Sequence, residues 1–102
     1  MKKNLLFLFL FVSLITSAQE RFLSGKIVNQ GNEPLGGATV IVKGLNKGVI
    51  TDEEGTFKLR LAEGGYTLQI SYIGYQSKEQ EINLVGDYWI LITLSSNEFI
   101  LY

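Results

Sequence analysis

The side chains able to do chemistry here are carboxylates, hydroxyls, lysines and aromatics, because the 102 residues include no His and no Cys. Without those two types no Ser-His or Cys-His nucleophile pair can be assembled, no disulfide can form, and zinc loses its preferred ligands. Asp52, Glu53 and Glu54 run into Gly55, and Glu63 stands twelfth when Asp52 is counted first, which is the closing position of an EF-hand calcium loop. Calcium takes roughly six to eight oxygens. Phe57, Leu59 and Leu61 alternate inside that window as a strand, which would pull the ligands apart, so a turn is the preferred reading. Asp52 with Glu54, and Glu79 with Glu81, are same-face neighbours if extended, near enough for the paired-carboxylate chemistry of glycoside hydrolysis. Neither pair has a pocket legible around it, and solvated charge on an outer face is the simpler account. No catalytic, cofactor or metal residue is assigned.

The aromatics offer recognition instead of reaction. Alternation places Tyr66, Tyr72 and Tyr88 on inward positions and leaves Tyr75 and Trp89 facing out, with Leu91 beside Trp89 on the outward parity of the last strand. A rigid aromatic with a polar tip suits sugars and protein interfaces alike, and large apolar side chains on an edge strand invite strand addition. Tyr75, Trp89 and Leu91 are therefore the candidate partner surface, for a protein or a glycan.

The elements that must carry these residues are short strands. Residues 21–29, 38–43, 49–51, 56–61, 66–72, 75–84 and 88–94 alternate in hydropathy, with glycine-marked turns between them. The acidic stretch 51–57 reads as a hairpin turn: Asp52 can accept from the backbone ahead of it and Gly55 can take a positive φ, so the strands on either side would pair locally. Seven strands at about ten-residue spacing, with no helical period after residue 15, predict an all-β, seven-stranded antiparallel β-sandwich.

The first residues read as an address. Lys2 and Lys3 precede an apolar run over 5–15, and Thr16-Ser17-Ala18 supplies the small residues a signal peptidase requires, with cleavage between Ala18 and Gln19. At about 1.5 Å per residue the run reaches roughly 16 Å, short of a bilayer core of about 30 Å, so a cleavable helix is expected and no membrane span. The alternative, a buried core helix, lacks a cap and a polar face. Removing 1–18 takes two of the nine Lys and Arg and none of the ten Asp and Glu, leaving 7 minus 10, or −3. A mildly acidic domain is a poor nucleic-acid binder. The expected organisation is a signal peptide at 1–18, a sandwich at 19–96 and an apolar tail at 97–102.

Five ordered segments carry a resemblance. Gly25-Lys26-Ile27-Val28, Pro34-Leu35-Gly36-Gly37-Ala38-Thr39-Val40, Lys43-Gly44, Gly48-Val49-Ile50-Thr51-Asp52 with Gly55-Thr56-Phe57, and Ser71-Tyr72-Ile73-Gly74-Tyr75 resemble the carboxypeptidase-regulatory-like domain over about residues 21–94. The resemblance implies a transthyretin-like sandwich without catalytic activity of its own. A domain of this kind directly after a signal peptide commonly opens a TonB-dependent outer-membrane receptor that imports glycans or other large nutrients, and lies in the periplasm ahead of plug and barrel. The sequence in hand stops at Tyr102 without plug, barrel or TonB-box-like segment. It is expected to be a free-standing periplasmic domain or the front piece of a truncated or split gene. The apolar Phe99-Ile100-Leu101-Tyr102 favours a chain cut within an element over an added edge strand.

Overall fold

The computed structural model describes residues 19–97. The expected leader at 1–18, and the tail beyond Asn97, lie outside the described residues. Seven strands follow in order: β1 Glu20–Asn29, β2 Thr39–Val42, β3 Lys47–Ile50, β4 Thr56–Ala62, β5 Gly64–Ser71, β6 Lys78–Leu84 and β7 Tyr88–Leu94. They form two sheets, ordered β4-β1-β7 and β3-β2-β5-β6. The inward parity of each strand fills the space between them. Leu23 and Ile27 of β1, Val40 of β2, Leu61 of β4, Leu68 and Ile70 of β5, Leu84 of β6 and Ile92 of β7 are almost wholly excluded from solvent. Burial of apolar area at about 25 cal/mol per Å² is what holds the layers together.

The expected sandwich is present, with one departure from a purely antiparallel arrangement. β1 pairs antiparallel with β4 but parallel with β7, with Ser24 opposite Trp89 and Lys26 opposite Leu91. Parallel neighbours cannot be joined by a tight turn. Here the chain runs through the whole second sheet before β7 returns beside β1.

The stretch around Asp52 does not make a hairpin. Its turn forms as read, with Gly55 N–H donating to the Asp52 carbonyl and Asp52 N–H to the Thr56 carbonyl. The strands either side nevertheless belong to different sheets, β3 pairing with β2 and β4 with β1. The reason lies in what grips the turn. Thr51, the one buried polar residue among those described, donates its hydroxyl to the Leu35 carbonyl (2.7 Å) and accepts from Ala38 N–H (2.8 Å). On the other flank, Ile27 N–H donates to the Gly55 carbonyl at 2.8 Å. The corner is thus tied to the β2 side before Asp52 and to β1 after it.

Two glycines are forced by close approach. A Cβ on Gly55, whose φ is +77°, would lie 2.6 Å from the Ile27 carbonyl oxygen, so both the left-handed backbone and the space demand glycine. Gly25, mid-β1, lies opposite Phe57, and a Cβ there would stand 2.6 Å from the Phe57 ring and 2.5 Å from the Ile90 carbonyl oxygen. Its missing side chain lets Phe57 lie across the middle of the sheet.

Gly55→Ala is expected to cost about 2 kcal/mol or more, since the αL penalty adds to a backbone clash. Gly44 shares the positive φ, +81°, but has nothing within 4 Å of an added Cβ, so Gly44→Ala should cost only about 1 kcal/mol. Urea denaturation of the two variants beside the parent chain measures the difference; equal losses would place no clash at Gly55.

Candidate functional site

The outward face of the β4-β1-β7 sheet groups three large exposed apolar side chains, with a fourth at its rim. Phe22 (41%), Trp89 (58%) and Leu91 (50%) are exposed there, and Tyr88 (49%), on the inward parity, is exposed where β7 begins. Strand register explains the grouping. Trp89 stands across from Ser24 and Ser24 from Lys58; Leu91 stands across from Lys26; Phe22 stands across from Arg60. Phe22, Trp89 and Leu91 point away from the core because they occupy the outward parity of their strands. The Lys58 ammonium lies 4.4 Å from the centre of the Phe22 ring and the Arg60 guanidinium 5.8 Å, within cation–π range. Arg60 also meets Glu20 at 3.2 Å. Phe22, Ser24, Lys58, Asp87, Tyr88 and Trp89 line a shallow hollow of about 290 Å³. Asp87 is engaged there, its Oδ1 accepting from Phe22 N–H at 2.9 Å.

The surface read from sequence divides. Trp89 and Leu91 are exposed side by side as expected. Tyr75 is only half-buried instead of exposed, because its ring packs 5.5 Å from Tyr72 against the core and its hydroxyl accepts from Asn29 Nδ2 at 3.2 Å. Asn29 pairs with Leu94, five rungs beyond the Ser24–Trp89 pair, so Tyr75 sits at the opposite end of the sheet from Trp89. Tyr88, expected in the core, opens a strand that is an edge among the described residues, and is half exposed. Phe22 escaped the sequence reading; its even parity on β1, shared with Ser24 and Lys26, was the available signal.

The carboxylate constellations are held for other work. Asp52 accepts from Glu54 N–H (3.0 Å), Thr56 N–H (2.9 Å) and the Thr56 hydroxyl, so N–H and O–H groups occupy the oxygens that calcium would need. Glu63 lies at the far end of β4, where it pairs with Arg21 at 2.9 Å. Glu79 and Glu81 share the outer face of β6 beside a shallow depression of about 630 Å³, and Glu79 is tied to Lys43 at 2.7 Å. Nothing there sets two free carboxylates across an enclosed cleft, which acid-base cleavage of a glycosidic bond requires.

Comparison with known proteins fits this picture. The CarboxypepD_reg-like domain family model matches residues 23–101. The TonB-dependent receptor SusC of Bacteroides thetaiotaomicron is 41% identical over 70 residues, covering 69% of this chain and 7% of the receptor. The TonB-dependent receptor P3 of Formosa agariphila is 26% identical over 98 residues, covering 94% of this chain and 10% of the receptor. The chain therefore spans a tenth or less of the length of these receptors. Among solved structures, a chain of a type II cohesin–X-dockerin complex from Acetivibrio cellulolyticus superposes with a TM-score of 0.66 at 24% identity, covering 74% of this chain and 58% of that one. That likeness is one of fold.

Asp52 carries a pH signature. Hydrogen bonds from the Thr56 hydroxyl, and then from backbone N–H groups, favour its carboxylate and hold its pKa below the ordinary 3.8. A carboxyl whose pKa is lowered by folding adds stability that is full above the unfolded value and is lost as pH falls through the folded one. The Tm advantage of the parent chain over Asp52→Asn should therefore be constant above about pH 5 and close as pH drops below the ordinary carboxylate range. A gap that persists undiminished in strong acid would contradict this assignment.

Proposed function

This chain belongs to the carboxypeptidase-regulatory-like domain family, and from that premise we propose that it is a non-catalytic, exported accessory domain working with a TonB-dependent receptor. It acts in the periplasm, at or near the outer membrane, by holding or presenting a partner. The observation that carries this reading is the 41% identity to a TonB-dependent receptor, sustained over 69% of the chain. The surface supports it. Exposed side chains of the β4-β1-β7 face are aromatic, aliphatic and cationic, which suits recognition, and the carboxylates are dispersed or committed to turns and ion pairs. Cleavage between Ala18 and Gln19 is part of the proposal, as is the absence of catalysis.

The alternative, a small carbohydrate-binding module, drew on Tyr75 and Trp89 as a stacking pair. With Tyr75 packed against Tyr72, at the other end of the sheet from Trp89, that pair is broken and the accessory reading is the better supported.

Fractionation of producing cells, followed by N-terminal sequencing, tests the address: the protein should appear in the periplasmic or outer-membrane fraction beginning at Gln19. Cytoplasmic protein retaining Met1 would contradict the proposal. Purified protein incubated with generic peptide and glycoside substrates should release no product above the buffer rate, and turnover abolished by Glu79→Gln or Glu81→Gln would overturn the non-catalytic assignment.

A further inference from the structure

We propose that the free edge of β7 is a docking site for an extended acidic polypeptide segment, which adds to the β4-β1-β7 sheet as a fourth strand beside Trp89 and Leu91. This deepens the accessory-domain reading by giving the partner a chemistry, and it rests on that reading only for where the partner is met.

The edge is open and aimed. Among the described residues β7 ends its sheet, with β1 on one side and no strand on the other; only past its end does the chain meet residues 74–76, where Ser95 accepts from Gln76 N–H and Ser96 bridges to Tyr75. The Ile90 carbonyl oxygen is turned to β1, 2.5 Å from where a Gly25 Cβ would be. Backbone groups alternate along a strand, so the N–H and C=O of Trp89, Leu91 and Thr93 face the free edge. The Thr93 carbonyl confirms the direction, since it accepts from the Lys78 ammonium at 3.3 Å instead of from a strand.

The strand itself carries no guarding residue, and in this it differs from the other three edge strands; its cover at Thr93 comes from Lys78 of β6. Exposed edges are normally blunted by charge, proline or a bulge. β3 opens with Lys47, β4 carries Lys58 and Arg60, and β6 carries Lys78, Glu79 and Glu81. The seven residues of β7, Tyr-Trp-Ile-Leu-Ile-Thr-Leu, contain no charge, proline or glycine. Such a strand pairs with whatever extended chain fits it, and a partner that covers it removes the hazard.

Charge selects that partner. Although the chain past residue 18 is net acidic, the strand beside β7 presents Lys26 across from Leu91 on the outer face, and Asp87 ahead of β7 is engaged by Phe22 N–H, while Lys58 and Arg60 stand one strand further away, on β4. Lys78 adds a second cation, at the edge itself. An incoming strand that alternates acidic with β-branched residues would set its main chain against Trp89 and Leu91, and against Thr93 once Lys78 turns from its carbonyl to a carboxylate, with a second carboxylate reaching toward Lys26.

The test uses the purified chain and two capped, fluorescein-labelled seven-residue peptides, one alternating Val with Glu and the other Val with Lys. Trp89 is the single Trp, so its emission reports the site directly, alongside peptide anisotropy. The Glu peptide should bind saturably, shift Trp89 emission, and bind at least about tenfold tighter than the Lys peptide. Leu91→Glu should abolish binding, and the double variant Lys26→Glu, Lys78→Glu should reverse the preference, both with unchanged far-ultraviolet circular dichroism. N-methylation of alternate peptide residues should abolish binding in one register and spare it in the other. Several results would overturn the proposal: no binding of either peptide, equal binding of both, or tolerance of N-methylation in both registers. So would burial of Trp89 by self-association without peptide, or a Trp89 response to a neutral oligosaccharide alone.

Discussion

The hydrogen bonds of the Thr51 hydroxyl are the constraint on which the two-layer arrangement depends. A buried hydroxyl left unpaired costs on the order of 1–3 kcal/mol, so this one sits where it can donate to Leu35 and accept from Ala38 at once. That fixes the approach to β2 against the exit from β3. Four residues later Gly55 offers its carbonyl to Ile27, and the chain has passed from one sheet to the other. The acidic turn between them is a bracket around this crossing, with Asp52 fastening Thr56 by side chain and backbone. Because Gly55 has no room for a Cβ, the crossing has one geometry.

From that corner the rest of the surface follows. β4 leaves it to lie against β1, so β1 becomes the middle strand and β7 is left to fill the other side, in parallel. A parallel neighbour reached by a long excursion has no hairpin to close it, and among the described residues its far side stays open. The same pairing brings Phe22, Trp89 and Leu91 onto one outward face with Lys26, Lys58 and Arg60. A rigid layer with one uncharged edge strand and one aromatic, cationic face is built to be recognised or to recognise. That suits a domain with relatives among receptors many times its length.

Much of the fold was legible in the residues. The span of β7 was read to the residue, and the inward set of β4, Phe57, Leu59 and Leu61, is the buried set observed; of the set read for the next strand, Leu68 and Ile70 are buried and Tyr66 and Tyr72 pack half-buried against the core. Five ordered glycine-bearing segments were enough to reach the family. What alternation cannot report is which strand a strand pairs with. It gives a face with period two and says nothing of partner, which is why residues 51–57 read as a hairpin although they turn between sheets. Thr51 looked like an ordinary β-branched residue before a turn; its buried partners, Leu35 and Ala38, are distant in sequence. Tyr75 misled for a related reason, since it follows a bend at Gly74, φ +84°, and strand parity does not carry across such a bend. Of the candidate surface, Trp89 and Leu91 were legible because they lie inside a regular strand.

Amide hydrogen exchange, resolved residue by residue along β7, tests most directly whether this sandwich leaves the β7 edge open. Ile90 and Ile92, whose backbone groups face β1, should be protected to nearly the level of Ala38 and Thr51 at the corner, while Trp89, Leu91 and Thr93 should exchange orders of magnitude faster. Uniform protection from Tyr88 to Leu94 in the free chain would mean that the edge is already covered, and would contradict the account.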